Sequence, residues 1–148
     1  MANGTNIDFV IPTRHDTSFV LRLLEQAAEN PWWVCHTFHF VYDANAQESI
    51  HKLRTWLSDN REKPLPNIET YFAPPQATGR PNLLRQIGLN QGENPFVYFQ
   101  DDDDPLPQNL DKCLEVMADN PDCAAVFGLT ETYTPRGQRI ERFPTMDL

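Results

Sequence analysis

The chain has 148 residues, enough for one domain with its own core but short for an enzyme with separate donor and acceptor halves. Hydrophobic residues make up 40% and aromatic residues 11%, a composition that excludes a disordered chain, and 13 prolines imply sharply punctuated loops. Acidic side chains outnumber basic ones 21 to 12, for a formal net charge of −9, which argues against nucleic acid as a partner because phosphate backbones are met by a basic face.

"IDFVIPT" (7–13) is a short apolar run closed by proline, and "DTSFVLRLLEQAAEN" (16–30) follows at helical spacing with Asp16 or Thr17 as cap. "HTFHFVYD" (36–43) reads as a second strand, and "AQESIHKLRTWLSDN" (46–60) as a second helix with Ile50, Leu53, Trp56 and Leu57 on one face. "NIETYFAPP" (67–75) predicts strand three, "PNLLRQIGLNQG" (81–92) helix three with Pro81 in its first turn, and "PFVYFQD" (95–101) strand four. "PQNLDKCLEVMADN" (107–120) predicts helix four, and "DCAAVFG" (122–128) strand five. The alternation implies an α/β fold, a mainly parallel sheet sandwiched between helices. "LTETYTPRGQRIERF" (129–143) breaks the rhythm and predicts a C-terminal β-hairpin around Pro135 and Gly137. No internal repeat or linker separates parts of the chain, so residues 1–148 are expected to form a single domain.

No apolar run approaches a membrane span, and "MANGTNIDFV" lacks the basic-then-apolar order of a signal peptide. A cytoplasmic protein, or a cytoplasmic piece of a longer one, is expected. Cys35, Cys113 and Cys123 form no C-x-x-C pair and lie in apolar stretches, the pattern of reduced packing thiols.

Open α/β sheets bind ligands at the carboxyl ends of their strands. That rule selects "PTRHD" (12–16), "YDANA" (42–46) and "DDDDP" (101–105). If strand geometry continues into the aspartate run, Asp101 and Asp103 point one way about 7 Å apart and repel by roughly 2–3 kcal/mol at an effective dielectric near 20. A divalent cation with hard oxygen preference, Mg²⁺, Mn²⁺ or Ca²⁺, would offset that and hold a diphosphate on an acidic protein. The competing reading is a solvated turn leading into helix four.

Other ligand classes lack their motifs. Counted from Asp101, an EF-hand loop would need glycine at Leu106 and glutamate at Lys112. There is no G-x-G-x-x-G after strand one and no Walker loop. His36 and His39 fall on opposite faces of a strand, so packing rather than zinc ligation is expected. Trp32, Trp33 and Trp56 read as core cover. His15 serves either a ligand or the surface, and Arg80 and Arg85 either solvation or a diphosphate.

With "IDFVIPTRHD", "HFVYDAN", "LLRQIGLNQG" and "PFVYFQDDDDPLPQNL" in this order, residues 6 to 130 resemble the family 2 glycosyltransferases of GT-A fold. The family's I-P-T-R-N at the end of strand one is matched by Ile11, Pro12, Thr13, Arg14 and His15, a loop that lies near the nucleotide. Its V-D-D-G-S is echoed from Tyr42 to Ala46, with Asp43 present and Ala44 in place of the second aspartate. Its A-R-N-x-G is approximated by Leu84 to Gly88 with Arg85 in common. Its F-L-D-x-D-D looks like Phe99 to Asp104, with Pro107 behind.

The resemblance implies a nucleotide-diphosphate sugar donor contacted by Pro12, Thr13, Arg14, Asp43, Arg80, Arg85, Asp101 and Asp102. It also implies a D-x-D site for Mn²⁺ or Mg²⁺ on Asp103, with Asp101 or Asp104 supporting, and transfer with inversion to a saccharide or other hydroxyl acceptor. The family's catalytic base lies beyond the donor half. None is assigned here, and Glu141 and Asp147 in the tail carry no motif. The alternative is a non-catalytic binding or assembly module that keeps the donor-half architecture; a metal-dependent phosphoesterase is a third. A second copy of the chain stays open as a partner.

Overall fold

The computed structural model describes residues 5–14, 17–44, 46–126, 130–133 and 136–143. The chain divides into two compact units, Met1–Leu106 and Pro107–Leu148, each described by itself.

The first unit contains β1 (Ile7–Thr13), α1 (Thr17–Ala28), β2 (Thr37–Tyr42), α2 (Gln47–Asp59), β3 (Asn67–Phe72), α3 (Pro81–Gln91) and β4 (Phe96–Phe99). Single 3₁₀ turns cover Pro31–Cys35 and Pro75–Ala77. The four strands are parallel in the order β3-β2-β1-β4. The chain therefore runs outward from β1 to β3 and then returns to the other side of β1, so the winding direction reverses between β1 and β4.

The near-continuous apolar runs of β1 and β2 are what a parallel strand covered on both faces requires. On one face, Val10 and Val41 receive α3 at Gly88, where an added Cβ would lie 2.5 Å from Val10 Cγ1 and 3.1 Å from Val41 Cγ2. Leu84, Ala73 and Ala77 close that cluster, with Tyr71 and Ile87 packed against it. On the other face, Phe9, Ile11, Phe38 and Phe40 are fully buried. Phe9 is the hub, its ring centroid 5.2 Å from both Trp33 and Phe38 and 5.6 Å from Tyr98. Such pairs add about 0.5–1.5 kcal/mol each beyond burial. The helices α1 and α2 bury Val20, Leu23 and Leu24, and Ile50 and Leu53, and are tied by the Thr17 hydroxyl donating to the Ser49 carbonyl at 3.1 Å. Trp56 and Leu57, predicted for the same stripe, are only half-buried.

The two histidines of β2 and its approach sit on opposite faces and serve packing. His36 Nδ1 accepts the Ile7 N–H at 3.0 Å, and burial pushes its pKa down to about 4. His39 lies between Asp8 Oδ1 at 2.7 Å and the Tyr71 hydroxyl at 3.0 Å. Asp8 also takes the Asn94 backbone N–H at 2.8 Å and its side-chain amide at 2.9 Å, so this buried carboxylate is fully partnered. It fits because residue 92 is glycine: a Cβ there would collide with the Asp8 carboxylate.

In the second unit, α4 is Leu110–Asp119, and β5 (Thr130–Tyr133) pairs antiparallel with β6 (Arg139–Phe143) as the predicted hairpin. Gly137 has φ +81° in the connecting turn, a conformation glycine adopts without strain. The helix starts three residues later than its pattern suggests because Asn109 is left-handed, at φ 63°. The strand predicted at 122–128 is not formed over 122–126: the Cys123 N–H turns back to the Asn120 carbonyl at 2.8 Å and its Sγ–H to Ala125 O at 3.0 Å. Residues 127 and 128 lie outside the described residues. All three cysteines are free, but Cys35 is exposed rather than packed. Among the described residues no helix is long and apolar enough to cross a membrane.

Candidate functional site

The reversal between β1 and β4 opens a crevice at the carboxyl ends of the strands, and a cavity of about 450 Å³ lies there. Pro12, Thr13 and Arg14 leave β1, Asp43 leaves β2, and Arg80 and Arg85 enter from the start of α3. Asp101, Asp102 and Asp103 arrive from the end of β4. The structure thus gathers all eight residues singled out for a nucleotide sugar, with Asp103, on one cavity. Asp104 does not line it. His15 and Asp16 lie outside the described residues, as does Asp147.

Each strand end is locked by one further ladder bond: Asp43 N–H to Thr13 O at 3.2 Å, and Gln100 N–H to Val10 O at 3.0 Å. Past Gln100 the chain does not continue as a strand. The Asp104 N–H returns to Asp101 O at 3.3 Å, making a turn, so the alternate pointing expected of Asp101 and Asp103 gives way to a different division of the four carboxylates. Asp101 Oδ1 receives Arg85 Nη2 at 2.7 Å, while Arg85 Nη1 donates to Asn82 Oδ1 at 2.8 Å. Asp102 turns inward and accepts the Thr13 hydroxyl at 2.9 Å. Asp103 stays exposed at the cavity wall.

Electrostatics follow from this division. Burial holds Asp102 above the usual carboxylate range, partly countered by the Thr13 hydrogen bond and reinforced by the Asp103 charge. Asp104 is also raised, by burial first and then by Asp103 and Asp101. Beneath them the Tyr42 hydroxyl is buried and has no hydrogen-bond partner among the described residues. Burial, and then the Asp102 charge, pushes its pKa well above the ordinary phenol value.

Several contributors were not visible in the sequence. Thr78 donates to Asp43 Oδ1 at 3.0 Å and fixes the neighbouring Gly79, whose φ of +70° bends the chain around the cavity. Phe19 of α1 lines the cavity, with the Arg22 guanidinium 5.5 Å over its ring. Gln100 and Gln26 hold the two ends of the aspartate loop. The one available signal was a polar amide at Gln100, where the apolar run of β4 would otherwise continue.

Among the described residues no three His, Cys, Asp or Glu side chains converge as a full protein cage for a metal. Asp101 is ion-paired with Arg85, whereas Asp103 and Asp102, the latter hydrogen-bonded to Thr13, are the carboxylates at the cavity wall outside that ion pair. Two carboxylates, with water and a phosphate completing the shell, suit Mg²⁺ or Mn²⁺.

A four-stranded parallel sheet flanked by helices, with its acidic loop at the reversal, is an α/β arrangement of GT-A-like type. Among solved structures the chain is similar to TarS 1–349 from S. aureus, a glycosyltransferase, with a TM-score of 0.57 and 20% identity over 78% of this chain and 32% of that one. The fold is therefore glycosyltransferase-like, and the chain spans about a third of that neighbour. No protein-family model matches the sequence, and no curated protein matches it.

Proposed function

We propose that the chain is the donor-binding half of a family 2 type glycosyltransferase, holding a nucleotide-diphosphate sugar in the cavity at the β1–β4 reversal. The observation that carries this is the convergence of Arg14, Arg80 and Arg85 with Asp43, Asp101, Asp102 and Asp103 on one concave surface. Arginines alone would suit a bare anion; arginines together with an excess of carboxylates suit an anion that arrives with a cation. Asp103 and Asp102 would hold Mn²⁺ or Mg²⁺, and the ion would stabilise the diphosphate as it leaves. Arg80 is the N-cap of α3, where a positive side chain and the helix end together favour phosphate, and Arg85 follows just past the first turn. Asp43, held by Thr78, offers a fixed acceptor to N–H groups of a base. Displacement at the anomeric carbon with inversion, toward a saccharide or other hydroxyl, completes the reading, in a cytoplasmic setting.

Calorimetry with uridine and guanosine diphosphate sugars, with and without Mn²⁺, tests it. Metal-dependent binding that is lost in Asp103→Ala is expected; absent or metal-independent binding, unchanged by that substitution, overturns it.

A second reading, a binding or assembly module without turnover, is favoured by Ala44, which brings no second carboxylate after Asp43 to the end of β2. Donor hydrolysis or sugar transfer by the purified chain would rule it out.

A further inference from the structure

We infer that Gln100 is a positioning residue for the aspartate loop: its buried amide gathers three backbone carbonyls of the loop and so sets how the carboxylates of residues 101–103 are presented to the cavity. The inference rests on the proposed metal and diphosphate role of that loop.

Gln100 is 3% exposed and sits where the ladder between β4 and β1 ends. Its backbone is fixed by the bond from its N–H to Val10 O at 3.0 Å. Its side-chain Nε2 lies 2.8 Å from Asp101 O, 3.0 Å from Asp104 O and 3.3 Å from Pro105 O. Two amide hydrogens are thus shared among three acceptors, the kind of convergence on one point that carbonyl oxygens otherwise make around a cation. With these carbonyls drawn inward, the loop closes on itself, and Asp101 and Asp103 stay on its exposed side.

The far end is held by a second glutamine. Gln26 of α1 accepts the Leu106 N–H at 2.8 Å and donates to the Leu106 carbonyl at 3.4 Å. Between these clamps the turn bond from Asp104 N–H to Asp101 O spans the four aspartates, while Arg85 and Thr13 hold the carboxylates of Asp101 and Asp102 from outside the loop. The mutual repulsion of the aspartates favours opening, and donors to the backbone inside the loop act with those side-chain anchors to oppose it. A hydrocarbon at position 100 would leave three carbonyls without this donor, and a carboxylate would face them with a like partial charge.

Two variants remove the amide donors by different means. Gln100→Glu keeps the shape and removes the donors; Gln100→Leu keeps an apolar-compatible volume and introduces no charge. Amide hydrogen exchange on the metal-free chain and titration with Mn²⁺ alone, followed by its electron spin resonance, are the readouts. In Gln100→Leu the Asp104 and Leu106 amides are expected to exchange at least tenfold faster, with the β1 and β2 amides within about twofold of wild type, and Mn²⁺ affinity to drop about tenfold. Unchanged loop exchange overturns the inference, and so does equal loosening of the sheet, which would make Gln100 a general fold residue. Loosened loop amides with unchanged Mn²⁺ affinity overturn it as well. If wild type itself takes no Mn²⁺, the donor reading fails separately, and the exchange contrast alone decides the role of Gln100.

Discussion

Thr13 and Asp102, 89 residues apart in sequence, are joined by a 2.9 Å hydrogen bond that ties the end of β1 to the loop after β4. It makes Asp102 the innermost of the four aspartates, although a pattern of alternating strand residues would set it aside from Asp101 and Asp103. The bond relieves the carboxylate only in part: burial comes first and Asp103 adds to it, so Asp102 stays above its ordinary range.

A stability cost at a binding site follows. A carboxyl whose folded pKa is raised contributes stability below its unfolded pKa and loses it as pH rises through the folded value. Ionisation of Asp102 therefore destabilises the metal-free chain. Asp102→Asn keeps an acceptor for Thr13 and should raise the melting temperature at pH 7, with the gain vanishing toward pH 3, while Mn²⁺-dependent donor binding falls at least tenfold. Thermal melts at the two pH values and calorimetry check the pair of effects.

His36 sets an acid limit of its own. Its folded pKa is about 4 against an ordinary 6.5. Between those values the unfolded chain takes up a proton that the folded one refuses, so stability falls as pH drops from 6.5 to about 4 and is flat below. The contribution is about 3 kcal/mol at most. Urea midpoints across that window should slope for wild type, and the slope should flatten in His36→Gln, whose amide oxygen can still accept the Ile7 N–H.

At Gly88, α3 touches the sheet. A methyl there meets Val10 Cγ1 at 2.5 Å, so Gly88→Ala must lift the helix despite the better helix propensity of alanine. A net loss of about 1–3 kcal/mol in denaturant unfolding is expected, the usual scale of overpacking. Since α3 also carries Arg85, donor affinity should weaken in parallel, and calorimetry on the folded variant checks that.

Tyr42 should behave in the opposite way. Its hydroxyl is buried without a partner among the described residues, so Tyr42→Phe removes an unsatisfied group and keeps the ring packed against Phe72. Unchanged stability or a gain of about 1–2 kcal/mol in urea unfolding is expected, where a typical buried tyrosine would show a loss.

The sheet was readable because β1 and β2 are apolar on both faces, and the binding rim because parallel strands put acids such as Asp43 and Asp101 at their carboxyl ends. Local pattern carried no information on which way Asp102 faces, since that depends on Thr13 and on the turn that Gln100 closes, contacts set by tertiary placement. The apolar run "CAAVF" misled for a related reason. Composition marks it as able to form a strand, but the turn bond from Cys123 to Asn120 takes its start out of extended geometry.

The order β3-β2-β1-β4 has a last consequence for how occupancy relates to chain history. The cavity walls come from residue 12 at one extreme and residue 103 at the other, so no contiguous fragment shorter than that span holds all of them. A ligand bound there reports that the whole winding has been completed, and discriminates finished molecules from partly assembled ones. At a hundredfold excess over its dissociation constant it adds about 2.7 kcal/mol to the complete form alone, acting as a final inspection of the fold rather than a support for any one strand.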